Sequence, residues 1–210
     1  MTEGPSKRPP TRSGRPRGSY AKSTITRNAI LDSALAVFAQ GGYRSGSIRE
    51  IAERVGISEA GLLHHFRSKS RLLEAVLEHR DELASQFVPP HPDDGREFMH
   101  GLIRLAQYNA STPGVVELYC ALSAEATSPS HPAHRYFVRR YEITRRTITE
   151  AFDDLRRRGS LREGVAPGEA AMSTIAIMDG LQVQWLLDRA SLDMATELRR
   201  HIVSLADVEL

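Results

Sequence analysis

The chain has 210 residues, of which 40% are hydrophobic, and a formal net charge of only +2. That length holds one large domain or two small ones with a proper core, and no apolar run approaches the roughly 20 residues that span a bilayer. A single cysteine, Cys120, excludes an internal disulfide framework and suits a reducing cytoplasm, and the basic N-terminus lacks the apolar segment of a secretory signal.

Charge is spread unevenly. Residues 1–28 carry seven Lys/Arg against one Glu and the remainder carries 21 against 25, so a +6 arm precedes a −4 body. Such asymmetry suits contact with a polyanion at one end only. Residues 1–23 are rich in Pro, Gly, Ser and Arg with almost no apolar surface to bury, which predicts a disordered basic arm. Arg15 and Arg17, in Arg12-Ser-Gly-Arg-Pro-Arg-Gly, have the make-up of short arms that enter a DNA minor groove. A solubilising tail is the equal alternative.

The rest reads as all-α, with about nine helices. The first is predicted over 26–40, with Ile30, Ala34, Val37 and Phe38 on one face, Thr24 or Thr26 as its cap, and Gly41-Gly42 as its end. The second starts at Ser47, where Ser47-Ile-Arg-Glu50 has the form of a capping box. Ile48, Ile51, Ala52 and Val55 form its buried face, Gly56 allows a sharp turn, and Ile57 plugs the core. Ser58 caps a short third helix over 59–66, with Leu62 and Phe66 inward. Ser68 caps a fourth, running to about Phe87. After the break Val88-Pro-Pro-His-Pro, further helices are predicted at about 95–110, 114–127, 133–158, 168–189 and 193–206.

Helix, glycine turn and capped helix is the arrangement of a helix-turn-helix, whose second helix lies in a major groove. The first turn of that helix carries small or hydrogen-bonding residues, as base reading requires. Glu59 suits cytosine N4, Ala60 a thymine methyl, and Gly61 a close backbone approach. His64, His65 and Lys69 stand where phosphates would lie.

Four stretches, Phe38-Ala-Gln-Gly-Gly-Tyr, Ser47-Ile-Arg-Glu-Ile-Ala, Val55-Gly-Ile-Ser and Leu62-Leu-His-His-Phe-Arg-Ser-Lys69, follow one another over about Arg27–Leu77. In order and spacing they resemble the DNA-binding domain of the TetR (tetracycline repressor) family. The resemblance implies DNA contacts from Ser47, Ser58, Ala60, Gly61, His64, His65 and Lys69. It also implies a three-helix DNA-binding domain (24–70) joined through the fourth helix to a helical ligand-binding and dimerisation domain (71–210). Leu63 departs from the pattern, standing where the family usually has a tyrosine that touches a phosphate. Met178-Asp-Gly-Leu-Gln-Val-Gln-Trp-Leu-Leu-Asp188 resembles the eighth helix of many members.

The eighth predicted helix is apolar on more than one side. Ala171, Ile175, Met178, Leu181, Gln182 and Trp185 share one face, while Met172, Ala176, Val183, Leu186 and Leu187 occupy others. A helix apolar all round is buried all round. With Leu198, Ile202 and Leu205 of the ninth helix it suits a four-helix bundle between two copies. A ligand pocket needs apolar walls and a few polar groups. The candidates are Leu105, Tyr108, Glu117, Tyr119, Phe137, Tyr141, Met178, Asp179, Gln182 and Trp185, a set that favours a mid-sized, partly apolar effector.

The functional expectation is a cytoplasmic, homodimeric transcription regulator. It binds a palindromic double-stranded DNA operator, is released by a small molecule, and acts by repression, the family's usual mode. An enzyme is the first rival class. The histidines of His64-His65 are adjacent on a helix and diverge, and His131 with His134 lacks a third ligand at metal spacing. No nucleophile elbow, phosphate loop or zinc motif is present, so neither catalysis, metal nor cofactor is expected. An architectural DNA binder, the second rival, would bind by charge alone, which the near-neutral net charge disfavours.

Deleting residues 1–22 should weaken DNA binding and flatten its dependence on salt, by about one unit of log–log slope for each phosphate that the arm neutralises. Site preference in the major groove should persist. A titration of affinity against salt concentration checks this, and an unchanged slope would make the arm a passive tail.

Overall fold

The computed structural model describes the backbone from Arg17 to Leu210 and side chains from Thr26 onward. The described residues form nine helices: α1 (Arg17–Ser45), α2 (Ile48–Val55), α3 (Glu59–His65), α4 (Lys69–Ala84), α5 (Gly95–Ser111), α6 (Pro113–Glu125), α7 (His134–Arg157), α8 (Pro167–Leu187) and α9 (Met194–Leu205). The expected all-α class holds. Among the described residues, the only pairing of strand type is one antiparallel bridge, Leu161 with Ala206.

The first helix is longer than expected at both ends. It reaches back to Arg17, so residues 17–23 are helical and not an unstructured arm, and Thr24 and Thr26 lie inside it and do not cap it. Pro16 is the last proline before this stretch. Once Ile30, Leu31, Ala34, Val37 and Phe38 are buried, each further turn extends an existing nucleus. At the other end Gly42 breaks the helix with φ 78° and ψ 164°, after which one more turn runs to Ser45.

Two buried clusters organise the molecule. The first joins α1–α4 but also takes in Leu118, Tyr119 and Leu122 of α6 and Phe137 of α7. The core of the N-terminal helices is therefore not closed on itself. The second cluster joins α5, α7, α8 and α9 around Phe152, Leu155, Trp185 and Leu198. α4 buries Leu72, Leu73, Val76 and Leu77 in the first cluster, and its last turns continue beyond it.

α8 is two-faced. Ala171, Leu181, Gln182 and Trp185 are buried, whereas Met172, Val183 and Leu187 are 58%, 49% and 83% exposed. In α9 the expected partner-facing residues Leu198 and Ile202 turn inward and are fully buried in the chain's own core; Val203 faces out instead. Spacing puts Leu198, Ile202 and Leu205 on one face but does not tell whether that face meets the chain's own core or a partner.

A buried carboxylate fixes the start of α5. Asp154 on α7 accepts the Gly95 N–H at 2.9 Å and is held by Arg158 at 2.6 Å and Arg157 at 3.0 Å. Burial opposes its charge, but these bonds outweigh burial and hold its carboxyl below the usual carboxylate range. The two helices touch so closely that a Cβ at Gly95 would sit 2.3 Å from the Ala151 carbonyl oxygen.

Gly95→Ala should therefore destabilise the fold by about 1–3 kcal/mol, measured by urea denaturation. Asp154→Asn should also destabilise, in a pH-dependent way. A depressed folded-state pKa gives stability that is present above the unfolded pKa and lost as pH falls through the folded one. The gap between wild type and Asp154→Asn should be widest near neutral pH and close in acid. A gap independent of pH would show that the charge of Asp154 contributes nothing.

Candidate DNA interface and effector cavity

The helix-turn-helix is assembled by three serine caps and one glycine. Ser47 Oγ accepts the Glu50 N–H at 3.0 Å, Ser58 Oγ the Gly61 N–H at 3.0 Å, and Ser68 Oγ the Arg71 N–H at 3.2 Å. Between α2 and α3, Gly56 takes the left-handed conformation (φ 74°, ψ 32°), and the Ile57 N–H closes the turn on the Ala52 carbonyl at 3.0 Å. The capping box forms only in part. The Glu50 carboxylate pairs with Arg54 one turn on, at 2.9 Å, and does not reach back to Ser47. A charged guanidinium at i+4 outcompetes a neutral, solvated amide.

α3 turns Leu62 and Phe66 into the core and leaves Glu59, Ala60 and His64 exposed. Gly61 and His65 are half-buried, and Leu63 is 40% exposed on the same short helix. Ser47 and Ser58 are exposed too, although their hydroxyls are already engaged as caps. Lys69 is less free than its position suggests. Its ammonium donates to the Arg44 carbonyl at 2.9 Å and lies 4.8 Å from the centre of the Tyr43 ring. It pins the start of α4 to the end of α1, and partial burial lowers its pKa. Arg67, not singled out from the sequence, is an exposed cation directly after α3. Arg15 and the side chain of Arg17 lie outside the described residues.

Some 530 Å³ of cavity opens beyond the first cluster, between the last turns of α4 and helices α5 to α8. This is within the usual range for small-molecule sites. Phe98, Leu102, Leu105, Ile148, Ile175 and Met178 supply apolar wall. The polar wall is a network centred on Asp81. Its Oδ1 accepts Arg140 Nε at 3.0 Å and Arg80 Nη1 at 3.3 Å, and its Oδ2 accepts the Tyr136 hydroxyl at 2.6 Å. From α8, Asp179 accepts the Tyr141 hydroxyl at 2.7 Å, and burial pushes the Asp179 carboxyl up.

Of the ligand residues expected from sequence, Leu105, Tyr119, Tyr141, Met178, Asp179 and Gln182 line this cavity. Four do not. Tyr108 stacks on Phe87 with ring centres 5.1 Å apart, and Phe137 packs against Tyr119 within the first cluster. Trp185 is buried in the second cluster, and Glu117 is exposed. Sequence reading missed Arg80, Asp81, Tyr136 and Arg140. A signal existed for Arg80, a charge lying seven residues after Leu73 and four after Val76 on an apolar stripe. Cys120 Sγ–H points to Gln182 Oε1 at 3.7 Å, and burial raises its pKa to about 11, so it remains a thiol. No metal-binding cluster occurs among the described residues. His131 and His134 instead bond the Ala133 N–H and the Ala126 carbonyl, respectively.

Residues 30–76 match the model of bacterial regulatory proteins of the tetR family, and residues 98–207 match the C-terminal domain of BetI-type transcriptional repressors. AcrR, an HTH-type transcriptional regulator of Shigella flexneri, is 24% identical over 92% of this chain and 94% of its own. YvkB of Bacillus subtilis, described as an uncharacterised HTH-type regulator, is 33% identical over 76 residues, 36% of this chain and only 40% of that one. The structure of SmeT in complex with triclosan superposes with a TM-score of 0.74 at 19% identity, covering 87% of this chain and 92% of that one. With family models matching both halves of the molecule, the chain belongs to the TetR family of bacterial transcriptional regulators.

Proposed function

We propose that this chain is a homodimeric repressor that binds a palindromic operator and releases it when a small molecule enters the cavity. One observation carries the reading: α4 is shared. Its first turns pack into the core of the helix-turn-helix, and its last turn supplies Arg80, Asp81 and Ala84 to the cavity wall. A ligand that changes how α4 sits changes where α3 is held.

DNA contact is assigned to Glu59, Ala60, Gly61, His64 and His65 of α3. Ser47, Ser58 and Lys69 serve mainly by fixing α2, α3 and α4, with the arm that holds Arg15 and Arg17 alongside. The working division is a DNA-binding part over 24–70 and an effector and dimerisation part over 71–210, with the first cluster running across it. Dimerisation is assigned to the outward stripe of α8, Met172, Val183 and Leu187, with Val203 of α9. Such a stripe is an unusual surface for a soluble monomer. Two recognition helices in successive major grooves need a separation of about 34–36 Å. An effector that binds better to a differently spaced dimer lowers operator affinity by that preference alone. Repression accords with the description of the matched C-terminal model, and an effector accords with SmeT, a relative in fold solved with triclosan. No helix among the described residues is long and apolar enough to cross a membrane.

Replacing both Met172 and Val183 by Glu should yield a folded monomer in sedimentation and reduce operator affinity by about 100-fold or more. The operator itself comes from a selected-site experiment with the wild type. Full affinity in a monomeric variant, or a selection that returns no palindrome, would sink this reading.

A further inference from the structure

Buried in the cavity wall, the Tyr119 hydroxyl has no hydrogen-bond partner among the described residues, although the residue is only 5% exposed. Burial raises its pKa to about 12, so it keeps its proton and can donate. The guanidinium carbons of Arg80 and Arg140 lie 4.6 Å and 4.9 Å from the centre of the same ring. Each guanidinium has five N–H donors in a planar fork. Arg80 uses Nη1 on Asp81 and Arg140 uses Nε on that same carboxylate, leaving donors on both unbonded to any described residue. Asp81, already shared with Tyr136, is the one carboxylate bonded to these two largely buried cations; Asp179 lies near enough to interact with both but is bonded by Tyr141. Of these donors the Tyr119 hydroxyl is the one both buried and unpaired, which is costly, while the spare guanidinium N–H groups are unbonded but not sealed from solvent.

We propose that the effector is an organic acid, with one carboxylate seated among the Tyr119 hydroxyl and the unused N–H groups of Arg80 and Arg140, and a mostly apolar body along Leu102, Leu105, Ile175 and Met178. The proposal rests on the effector-responsive reading above and names the class of ligand. The other charges around the cavity do not cancel the seat. Asp179 is engaged by Tyr141 and pushed toward its neutral form, and Glu78, Glu82 and Arg139 are exposed at the rim. A quaternary ammonium is disfavoured, because the Tyr119 ring that would attract it already faces two guanidiniums. The acid also has a route to DNA. Asp81 and Arg80 belong to the last turn of α4, and Tyr136 and Arg140 to α7. A carboxylate bound to the other N–H groups of the same two guanidiniums draws them from Asp81 and weakens the contact between the two helices.

Calorimetric titration of the full-length protein tests this with matched probes: decanoate and naphthaleneacetate, their alcohols decanol and naphthalene-ethanol, and decyltrimethylammonium. At least one acid should bind about tenfold or more tighter than its alcohol and weaken operator binding. Tyr119→Phe should lower that acid's affinity about tenfold, leave the alcohol within about twofold, and not lower the thermal midpoint, since it removes only an unsatisfied group. Asp81→Asn should raise acid affinity by freeing the guanidiniums. Equal or tighter binding of an alcohol or the ammonium, or unchanged acid affinity in Tyr119→Phe, overturns the acid seat but leaves a responsive cavity standing. No binding by either acid also overturns it. The responsive reading itself falls only if a broad screen of lipophilic compounds never alters operator affinity.

Discussion

Asp81 is one carboxylate with three donors on it, and the arrangement of the cavity depends on how it is shared. It sits in the last turn of α4, beside Arg80 on the same helix, and takes Arg140 and Tyr136 from α7. Elsewhere the two helices meet through the Tyr136 hydroxyl on the Leu77 carbonyl at 3.3 Å and through shared apolar packing in the first cluster, which tolerates small slips. A charge-assisted network does not slip in the same way. It is made or broken, which suits a junction that switches between two arrangements. The cavity opens beside that network, so an acid seated as proposed would draw on the groups that make the α4–α7 contact.

The pair formed by α7 and α8 behaves differently. Asp179 and Tyr141 form a bonded pair whose carboxyl is pushed toward its neutral form by burial. A bonded pair of this kind shapes a wall with one hydrogen-bond partner already in place. The cavity therefore has a polar pole on the α4–α7 side, while apolar side chains from α5, α7 and α8 close the remainder. Dipolar cavities of this kind orient a ligand as well as admit it.

The DNA-binding half was legible from sequence because its determinants are local. Each serine cap bonds an amide three residues on, and Gly56 turns a chain whose neighbours are already in helices. Spacing within seven or eight residues suffices to read such features. Even there, Glu50 went to Arg54, a choice between two local partners that depends on charge and solvent exposure. The cavity was half legible. Tyr119, Tyr141, Asp179 and Gln182 were visible as polar groups in apolar helices, but Arg80, Asp81, Tyr136 and Arg140 looked like solvated charge on amphipathic faces. Tyr136 and Arg140 lie 55 and 59 residues from the Asp81 they bond. No periodicity reports on partners at that separation. Trp185 and Phe137 failed for the converse reason, since an aromatic on an apolar stripe looks the same whether it faces a void or a packed core.

α4 is also a rigid bar with a pinned end. Lys69 clamps its start to the Arg44 carbonyl and the Tyr43 ring, while its far end leads into the Pro89-Pro90 segment. Over roughly 24 Å of helix, a tilt of about 5° moves one end by about 2 Å relative to the other. Because the clamp binds backbone and ring, and not another flexible side chain, little of that motion is absorbed where it arrives. On the proposed coupling the gearing runs in both directions: what holds α3 in register against DNA also bears on the cavity, so a tightly bound operator should slow the entry of the very molecule that would displace it.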